Sequence, residues 1–202
     1  RPASGLGRIV VMVKQRAQRS MVAGRTMKGV VFNLLEGFVT ETFGEEAYED
    51  ILDMCPAAGE VAYVGPKTYP DANIFEIVGA TCKHLDVQPD FALRAFGRYA
   101  FPKLAEAFPV FTEGHSDAIA FLETVDAIIH VEVAKLMEGS VLPKMAFGRN
   151  EHGELTIAYR SERGLCHLME GLLEGVGDFF DQPLAYRQTA CAHDGAEACT
   201  FE

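Results

Sequence analysis

Apolar residues change their spacing near residue 140, and this change constrains the fold more than any other feature of the sequence. Before that point they recur at the three- and four-residue intervals of an α-helix. The spacing predicts five helices, which we place at Met27–Phe43, Glu45–Met54, Asp71–His84, Phe91–Phe108 and Asp117–Met137. Pro102 should kink or divide the fourth helix, and Gly139 should end the fifth. The stretch Pro56–Tyr69, rich in Gly and Pro, is expected to be a loop.

The residues that follow predict an antiparallel sheet. Runs of alternating and β-favouring residues indicate four strands, at Leu142–Phe147, Glu154–Tyr159, Leu184–Cys191 and from Cys199 onward. Between the second and third strands, a helical pattern runs from Leu165 to about Gly177. An amino-terminal helical subdomain followed by an antiparallel sheet with an inserted helix is an α+β fold.

Charge is distributed unevenly along the chain. Residues 1–26 contain six Lys and Arg and no Asp or Glu, whereas residues 27–202 contain 12 Lys and Arg against 29 Asp and Glu, a formal charge of −17. Nucleic-acid binding requires Lys and Arg to neutralise phosphates, so this acidic body argues against a nucleic-acid partner. We interpret residues 1–26 as a disordered upstream or artificial extension, with a transit peptide as the alternative. Residues 27–202 suit one domain, and Met27 resembles a natural start.

Five cysteines, an odd number, and the lack of a secretory signal favour a reduced cytoplasm over a disulfide framework. No apolar run reaches the roughly 18 residues of a membrane span, so we expect no membrane partner. Cys55 and Cys82 are interpreted as core residues. The sequence ends at Glu202 within a predicted strand, so we expect more protein to follow.

Tyr159, Ser161 and Arg163 place a phenol, a hydroxyl and a guanidinium at every second residue. On a strand, alternate side chains share one face, with a rise of about 3.3 Å per residue. These donors would therefore line roughly 13 Å of one edge. Such an edge suits an anionic ligand with two spaced carboxylates. A solvated strand edge is the alternative interpretation.

His130 lies within the longest predicted helix and has apolar neighbours on almost every side. A histidine in such a position is more often a hydrogen-bonded core residue than a metal ligand. A neutral imidazole on a rigid helix in apolar surroundings is also what a haem iron requires as its proximal ligand. Both interpretations stay open at this point.

Taken together, these segments resemble the H-NOX family of haem–nitric oxide/oxygen-binding domains, which includes the sensor domain of soluble guanylate cyclase. The resemblance covers residues 27–202. It is carried, in one order, by Met27–Asn33, Phe96–Phe101, Asp126–Val133, Pro143 and the spaced triplet Tyr159, Ser161 and Arg163. It implies haem b held between the helical subdomain and the sheet, in a bacterial, cytoplasmic gas sensor that is not an enzyme.

The resemblance implies a role for each residue singled out above. His130 would be the proximal iron ligand, and Tyr159, Ser161 and Arg163 would hold the two haem propionates. Pro143 would press on the porphyrin and help to hold it out of plane. A proline at the entry to a strand is the alternative interpretation of Pro143.

Residues on the opposite, distal face of the haem decide which gas binds. Oxygen becomes polar when it binds iron and is held by a hydrogen-bond donor, whereas nitric oxide and carbon monoxide need none. In oxygen-binding family members a tyrosine, an asparagine and an aromatic residue occupy the positions of Leu168, Ala100 and Leu35. With Val31 and Leu104 these residues make a wholly apolar pocket. We therefore predict binding of nitric oxide and carbon monoxide, with little stable oxygen binding.

The resemblance also implies a switch. Nitric oxide binding opposite His130 would weaken the iron–histidine bond, and release of His130 would let the long helix shift against the helical subdomain. The expected partner is a histidine kinase or a cyclic-di-GMP enzyme, either a separate protein or a downstream domain. A peroxidase-like haem enzyme is disfavoured because the distal positions hold no His or Arg.

A second candidate metal site is formed by three cysteines, Cys166, Cys191 and Cys199. Some bacterial H-NOX proteins carry zinc in this region, with ligands that match these cysteines and a fourth at the position of Gln188. Because Gln188 leaves that pattern incomplete, we consider His193 as the substitute ligand and His167 as a poorer one. Redox-active thiols and small core residues are the alternatives. A zinc/thiol redox sensor is accordingly the alternative function.

Overall fold

The computed structural model describes residues 25–202. Residues 1–24 lie outside the described part, and with them most of the basic extension predicted from the sequence. Arg25 and Thr26, which we assigned to that extension, belong to the folded domain instead. Thr26 begins the first strand, and Arg25 pairs with Glu162. None of the helices in residues 25–202 is both long and apolar enough to span a bilayer.

A two-stranded sheet opens the amino-terminal half. Strand β1 (Thr26–Lys28) pairs antiparallel with strand β2 (Thr68–Pro70). The sequence predicted Met27 and Lys28 to be helical and Thr68 to lie in a loop, and these assignments were wrong. The two strands are far apart in the chain, and the periodicity of neighbouring residues cannot predict a pairing between distant segments.

Four helices follow in the predicted order: α1 (Gly29–Phe43), α2 (Glu45–Asp53), α3 (Asp71–His84) and α4 (Pro89–Ala107). Helix α4 continues through Pro102 without a division. Pro102 cannot donate a main-chain hydrogen bond, but close tertiary packing supports the helix in the turns before it. This packing joins α4 to a later helix, α7 (Cys166–Phe179), through Gly97, Gly171 and Gly175.

The long helix around His130 has an irregular centre. It consists of α5 (Ala118–Thr124), a π-helical turn (Val125–Ile129) and α6 (His130–Leu136). Asp117 caps its start by accepting a hydrogen bond from the Ala120 amide at 2.8 Å. Gly139, with φ +81°, follows its end. The bounds of this helix agree with the sequence prediction, whereas the π turn was not predicted.

The carboxyl-terminal half is built on a four-stranded antiparallel sheet in the order β3-β4-β6-β5. Its strands are β3 (Lys144–Arg149), β4 (Leu155–Arg160), β5 (Gln188–Ala190) and β6 (Cys199–Phe201). Strand β5 is shorter than the predicted Leu184–Cys191, and its ladder with β6 is irregular between Gln188 and Ala190. Arg187 still exchanges two main-chain hydrogen bonds with Glu202. The predicted α+β architecture, with α7 inserted between β4 and β5, is confirmed.

Two apolar cores organise the domain. The first lies among helices α1 to α4 and contains Phe32 and Ile77. The second lies between α5, α7 and the four-stranded sheet and contains Leu173 and Phe201. Leu168 of α7 packs against the first core, although Leu173 of the same helix belongs to the second. Helix α7 therefore joins the two halves of the molecule.

Candidate functional site

His130 is the first residue of α6 and directly follows the π turn. Its side chain is 19% exposed, and its Nδ1 lies 3.4 Å from Oδ1 of Asp126, one turn earlier. Asp126 is fixed in turn by the sheet, since the Met145 amide of β3 donates to the same oxygen at 3.1 Å. The imidazole is therefore oriented by a carboxylate whose own position is set by a strand.

The surroundings of His130 keep its imidazole neutral. Burial lowers the pKa of His130, and the Asp126 carboxylate opposes this effect without reversing it. Because Nδ1 is directed at Asp126, Nε2 is left as the atom that can bind a metal. A neutral imidazole with a carboxylate on its other nitrogen is the kind of donor that a haem iron takes.

Tyr159 lies on β4, opposite Met145 of β3 and Cys199 of β6, and its side chain is buried. Burial raises the pKa of the phenol, and a hydrogen bond with Ser161 partly offsets the rise. The phenol therefore stays protonated at neutral pH and is able to donate a hydrogen bond.

Ser161 and Arg163 lie beyond β4, which ends at Arg160. The prediction that they share one strand face with Tyr159 was therefore wrong. Gly164, with φ +64°, turns the chain toward α7 and away from the sheet. Within this turn, Oγ of Ser161 accepts a hydrogen bond from the Arg163 amide at 3.3 Å. Tyr159 is thus carried by strand β4, whereas Ser161 and Arg163 belong to the turn that follows it.

The Arg163 guanidinium is engaged within the protein. Its Nε and Nη2 donate to the two carboxylate oxygens of Asp71, at 2.7 and 3.2 Å. Nη2 also donates to the Thr26 carbonyl at 2.9 Å, and Nη1 donates to the Val141 carbonyl at 2.7 Å. The Arg163 and Asp71 side chains are only 8% and 10% exposed. Because a guanidinium has five N–H groups, one of them remains for a further acceptor.

Pro143 is half-buried in the segment that joins α6 to the sheet. It directly precedes Lys144, the first residue of β3. This position fits the strand-entry interpretation, and it leaves the porphyrin-contacting role implied by the family as a proposal.

The predicted distal residues lie on three helices: Val31 and Leu35 on α1, Ala100 and Leu104 on α4, and Leu168 on α7. Leu35 and Ala100 are buried in the first core, and Val31 and Leu168 pack against the same core. Leu104 is partly buried, one turn after Ala100. None of these five side chains carries a hydrogen-bond donor.

The three clustered cysteines are Cys166 at the start of α7, Cys191 directly after β5 and Cys199 at the start of β6. Their sulfur atoms all lie within 4.8 Å of one another. Burial raises the pKa of Cys166 to about 12, and repulsion from the neighbouring thiols adds to the effect. Burial raises the pKa of Cys199 as well. These two thiols are therefore protonated at neutral pH unless a metal displaces their protons.

The structure does not bring His193 into this cysteine cluster. The 3₁₀ turn Ala192–Asp194 directs its imidazole toward Gly164, whose carbonyl oxygen lies 2.9 Å from Nε2. His167 instead pairs with Glu170, at 2.9 Å from Nδ1. Neither histidine is thus placed as the fourth ligand. Gln188, at the position of the family's fourth ligand, has a buried Nε2 without a hydrogen-bond partner in the described part of the chain.

The family of this chain follows from its match to a family model. A family model described as "Haem-NO-binding" matches residues 28–188, well over half of the chain. The chain belongs to the haem-NO-binding, or H-NOX, family. H-NOX domains are sensor domains and not enzymes, so this chain is a haem gas-binding domain and not a catalyst.

Solved H-NOX structures have the same fold. An H-NOX protein from S. oneidensis in the Fe(II)NO state is 29% identical, with a TM-score of 0.80 over 87% of this chain and 97% of that one. The Shewanella oneidensis H-NOX domain in the Fe(II)CO state is 29% identical, with a TM-score of 0.77 over 87% and 96%. The unliganded Fe(II) H-NOX protein from K. algicida is 24% identical, with a TM-score of 0.75 over 87% and 95%, and shows the fold alone.

The H-NOX fold implies a haem, and the donors in this structure fit one. His130 offers a neutral, oriented imidazole, and Tyr159 offers a protonated phenol. Sequence reasoning missed three contacts in this region: Asp126 with His130, Asp71 with Arg163, and Lys28 with the Glu138 carbonyl. Asp126 stands four residues before His130, so helical spacing would have revealed it. Asp71 and Lys28 act on residues far away in the chain, for which no local signal exists.

Proposed function

We propose that this H-NOX domain binds haem b through His130 and senses nitric oxide and carbon monoxide, with little stable oxygen binding. The observation that carries the proposal is the neutral imidazole of His130, held by Asp126 at the start of α6. Haem supplies a ferrous iron that binds diatomic gases. The relatives from Shewanella oneidensis have been captured with nitric oxide and with carbon monoxide, which supports the same ligands here.

Tyr159, Ser161 and Arg163 are proposed to hold the two haem carboxylates. The buried phenol of Tyr159 donates one hydrogen bond, and the Ser161 hydroxyl donates another. Arg163 contributes its remaining N–H together with a positive charge that Asp71 partly neutralises. Pro143, between the proximal helix and β3, is proposed to contact the porphyrin face.

The gas selectivity follows from the apolar distal residues. Leu35, Ala100 and Leu168 come from three different helices, and none of them donates a hydrogen bond. Bound oxygen is polar and would stay without a donor there, whereas nitric oxide and carbon monoxide lose little. The domain should therefore bind oxygen poorly because its distal residues offer bound oxygen no hydrogen bond. Steric exclusion of oxygen is not needed.

Signalling is proposed to begin with the release of His130 after nitric oxide binds. The helix α5–π–α6 would then shift against the amino-terminal helices, and a partner would distinguish the two arrangements. We propose a histidine kinase or a cyclic-di-GMP enzyme as that partner. The free thiols of the cysteine cluster favour a reduced, cytoplasmic setting.

An optical spectrum of the reduced protein, recorded in air and then with nitric oxide, tests the selectivity. We expect the ferrous spectrum to persist in air without an oxy-haem band and to change when nitric oxide is added. Leu168→Tyr, which places a donor on α7, is the matched variant and should gain oxygen binding. A stable oxy-haem band in the unmodified protein would refute the selectivity.

A zinc/thiol sensor is the second candidate function, and it rests on the three sulfur atoms within 4.8 Å of one another. Three thiolates would bind zinc, with the fourth position taken by Gln188 or by water. Purified protein should then contain about one zinc per domain, and Cys199→Ser should lose it. Cys82→Ser, a buried cysteine outside the cluster, is the control. Equal zinc contents in the two variants would rule out this site.

A further inference from the structure

Lys28, at the end of β1, carries a buried ammonium group and is only 9% exposed. Its Nζ donates to the Pro66 carbonyl at 3.0 Å and to the Glu138 carbonyl at 2.6 Å. Both partners are main-chain oxygens and carry no formal charge. Burying a charge in this way has a free-energy cost that two hydrogen bonds only partly offset, so the position calls for an explanation.

The Glu138 carbonyl lies just past the end of α6, the helix that begins with His130. This carbonyl belongs to the turn that follows α6, and a cation near the carboxyl end of a helix is stabilised by the helix dipole. Ser140 donates two hydrogen bonds to the Met137 carbonyl, one from its amide at 3.0 Å and one from its hydroxyl at 2.6 Å. Lys28 donates a hydrogen bond to the next carbonyl, that of Glu138. This bond comes from the amino-terminal half of the molecule, because β1 belongs to the amino-terminal sheet.

Helix α6 itself is lightly packed. None of its residues is buried, and the apolar side chains of Val131 and Leu136 are exposed. Toward its amino terminus, α6 is joined to α5 by the π turn Val125–Ile129, a type of turn that is rare and is often found at functional sites. Asp126 anchors the amino end of α6 to β3, and the Lys28 hydrogen bond anchors the turn at its carboxyl end.

We propose that Lys28 is a positioning residue for His130, because its hydrogen bond to Glu138 fixes the carboxyl end of α6 to the amino-terminal subdomain. This inference rests on the proposed function. With that end fixed, His130 would have little freedom to move, and its bond to a haem iron would be lost more easily. Without the tether, α6 would be free to move with His130, and that bond would last longer. Lys28 thus favours release without touching the gas.

The test compares Lys28→Met, which keeps the length of the side chain and removes its donors, with Lys135→Met. Lys135 lies on α6 itself, is 64% exposed and pairs with Glu132. Its replacement therefore removes one positive charge, as Lys28→Met does, but leaves the hydrogen bond from Lys28 to Glu138 intact. In haem-free protein, amide hydrogen exchange in the last turn of α6 should become about tenfold faster in Lys28→Met and stay unchanged in Lys135→Met.

The second measurement uses the haem-loaded protein. After ferrous protein is mixed with nitric oxide, the change of the Soret band from its six- to its five-coordinate position should be about fivefold slower in Lys28→Met. Equal exchange in the two variants would overturn the tether. Faster exchange with an unchanged Soret rate would also overturn the proposal, since Lys28 would then be merely structural.

Failure of the proposed function would look different. If His130→Gly kept its haem, the ligand assignment would be lost, whereas the exchange measurement in haem-free protein would still report on the tether. If Lys28→Met does not fold, Lys28→Gln, whose neutral amide is one atom shorter and so weakens the contact with the Glu138 carbonyl, is measured in the same way. An exchange rate and a Soret rate in Lys28→Gln equal to those of the unmodified protein would then overturn the tether.

Discussion

At the scale of single residues, His130 lies between two opposing influences. Burial lowers its pKa, and the Asp126 carboxylate raises it, with burial the larger effect. Asp126 serves a second purpose, since it also accepts the Met145 amide and thereby links the helix to β3. The same carboxylate thus orients the imidazole and fixes its distance from the sheet.

This balance predicts how the stability of the haem-free domain depends on pH. In the unfolded chain His130 takes up a proton near pH 6.5, whereas in the folded domain its lowered pKa delays protonation. The unfolded state therefore binds more protons as the pH falls below that value, and stability is lost. The urea midpoint should drop between about pH 7.5 and pH 5.5, and the drop should be smaller in His130→Gln.

His152→Gln is the matched control for this pH dependence. His152 is exposed in the turn between β3 and β4, so its replacement should leave the pH profile unchanged. A profile that is the same in His130→Gln as in the unmodified domain would show that His130 does not titrate differently in the folded and unfolded states.

At the scale of elements, α4 and α7 form a close helix–helix contact. The two helices approach closely because Gly97, Gly171 and Gly175 have no side chains. A Cβ on Gly171 would meet the backbone of Arg94 and Arg98. Ala100, a proposed distal residue, lies on the same stretch of α4. Glycine here is required by the packing and not by backbone conformation.

Gly171→Ala should therefore destabilise the domain by about 3 kcal/mol or more, because two helix backbones must separate. Gly79→Ala is the control, since Gly79 lies inside α3 with open space where its Cβ would be. That substitution should stabilise the domain by about 0.5–1 kcal/mol through helix propensity. Urea unfolding measures both changes, and similar values for the two variants would contradict this account of the packing.

The helices could be predicted from the sequence because their signal is local. The bounds of α3 and of the helix α5–π–α6 follow from apolar periodicity, an Asp cap and a terminal glycine. The pairing of β1 with β2 could not be predicted, since it depends on residues distant in the chain. The π turn could not be predicted either, because one extra residue in a turn leaves the apolar pattern almost unchanged.

The sequence predicted the positions of some candidate site residues correctly and of others wrongly, depending on whether a turn interrupts the local pattern. Tyr159 was correctly placed on a strand, because alternation marks β4. Ser161 and Arg163 were misplaced because Gly164 bends the chain before the pattern can continue. The three cysteines do converge, whereas His193 does not join them, since a short 3₁₀ turn redirects its side chain. Such turns depend on contacts that are formed only in the folded domain.

At the scale of the whole molecule, the two halves are fastened around the proposed haem site. The buried ion pair of Arg163 and Asp71 joins the turn after β4 to the start of α3. The exposed pair of Arg98 and Asp178 joins α4 to α7, with side chains 56% and 47% exposed. The environments differ, so the two pairs should differ in their contribution to stability.

Asp71→Ala would leave the buried guanidinium of Arg163 without its carboxylate. We expect a loss of about 3–5 kcal/mol in the free energy of unfolding, together with weaker haem retention. Arg98→Ala should cost less than about 1 kcal/mol, because water screens that pair. Equal losses in the two variants, measured by urea unfolding, would show that Arg163 has found other partners.

The central claim, that His130 holds the iron, is tested most directly by haem retention in His130→Gly. Protein purified with ample haem should be coloured when unmodified, and His130→Gly should be colourless unless imidazole is supplied to occupy the vacated position. His115→Gly, which removes a histidine elsewhere in the domain, should keep its colour. If His130→Gly retained haem in the absence of imidazole, with an unchanged ferrous spectrum, another residue would be the ligand and the account would be contradicted.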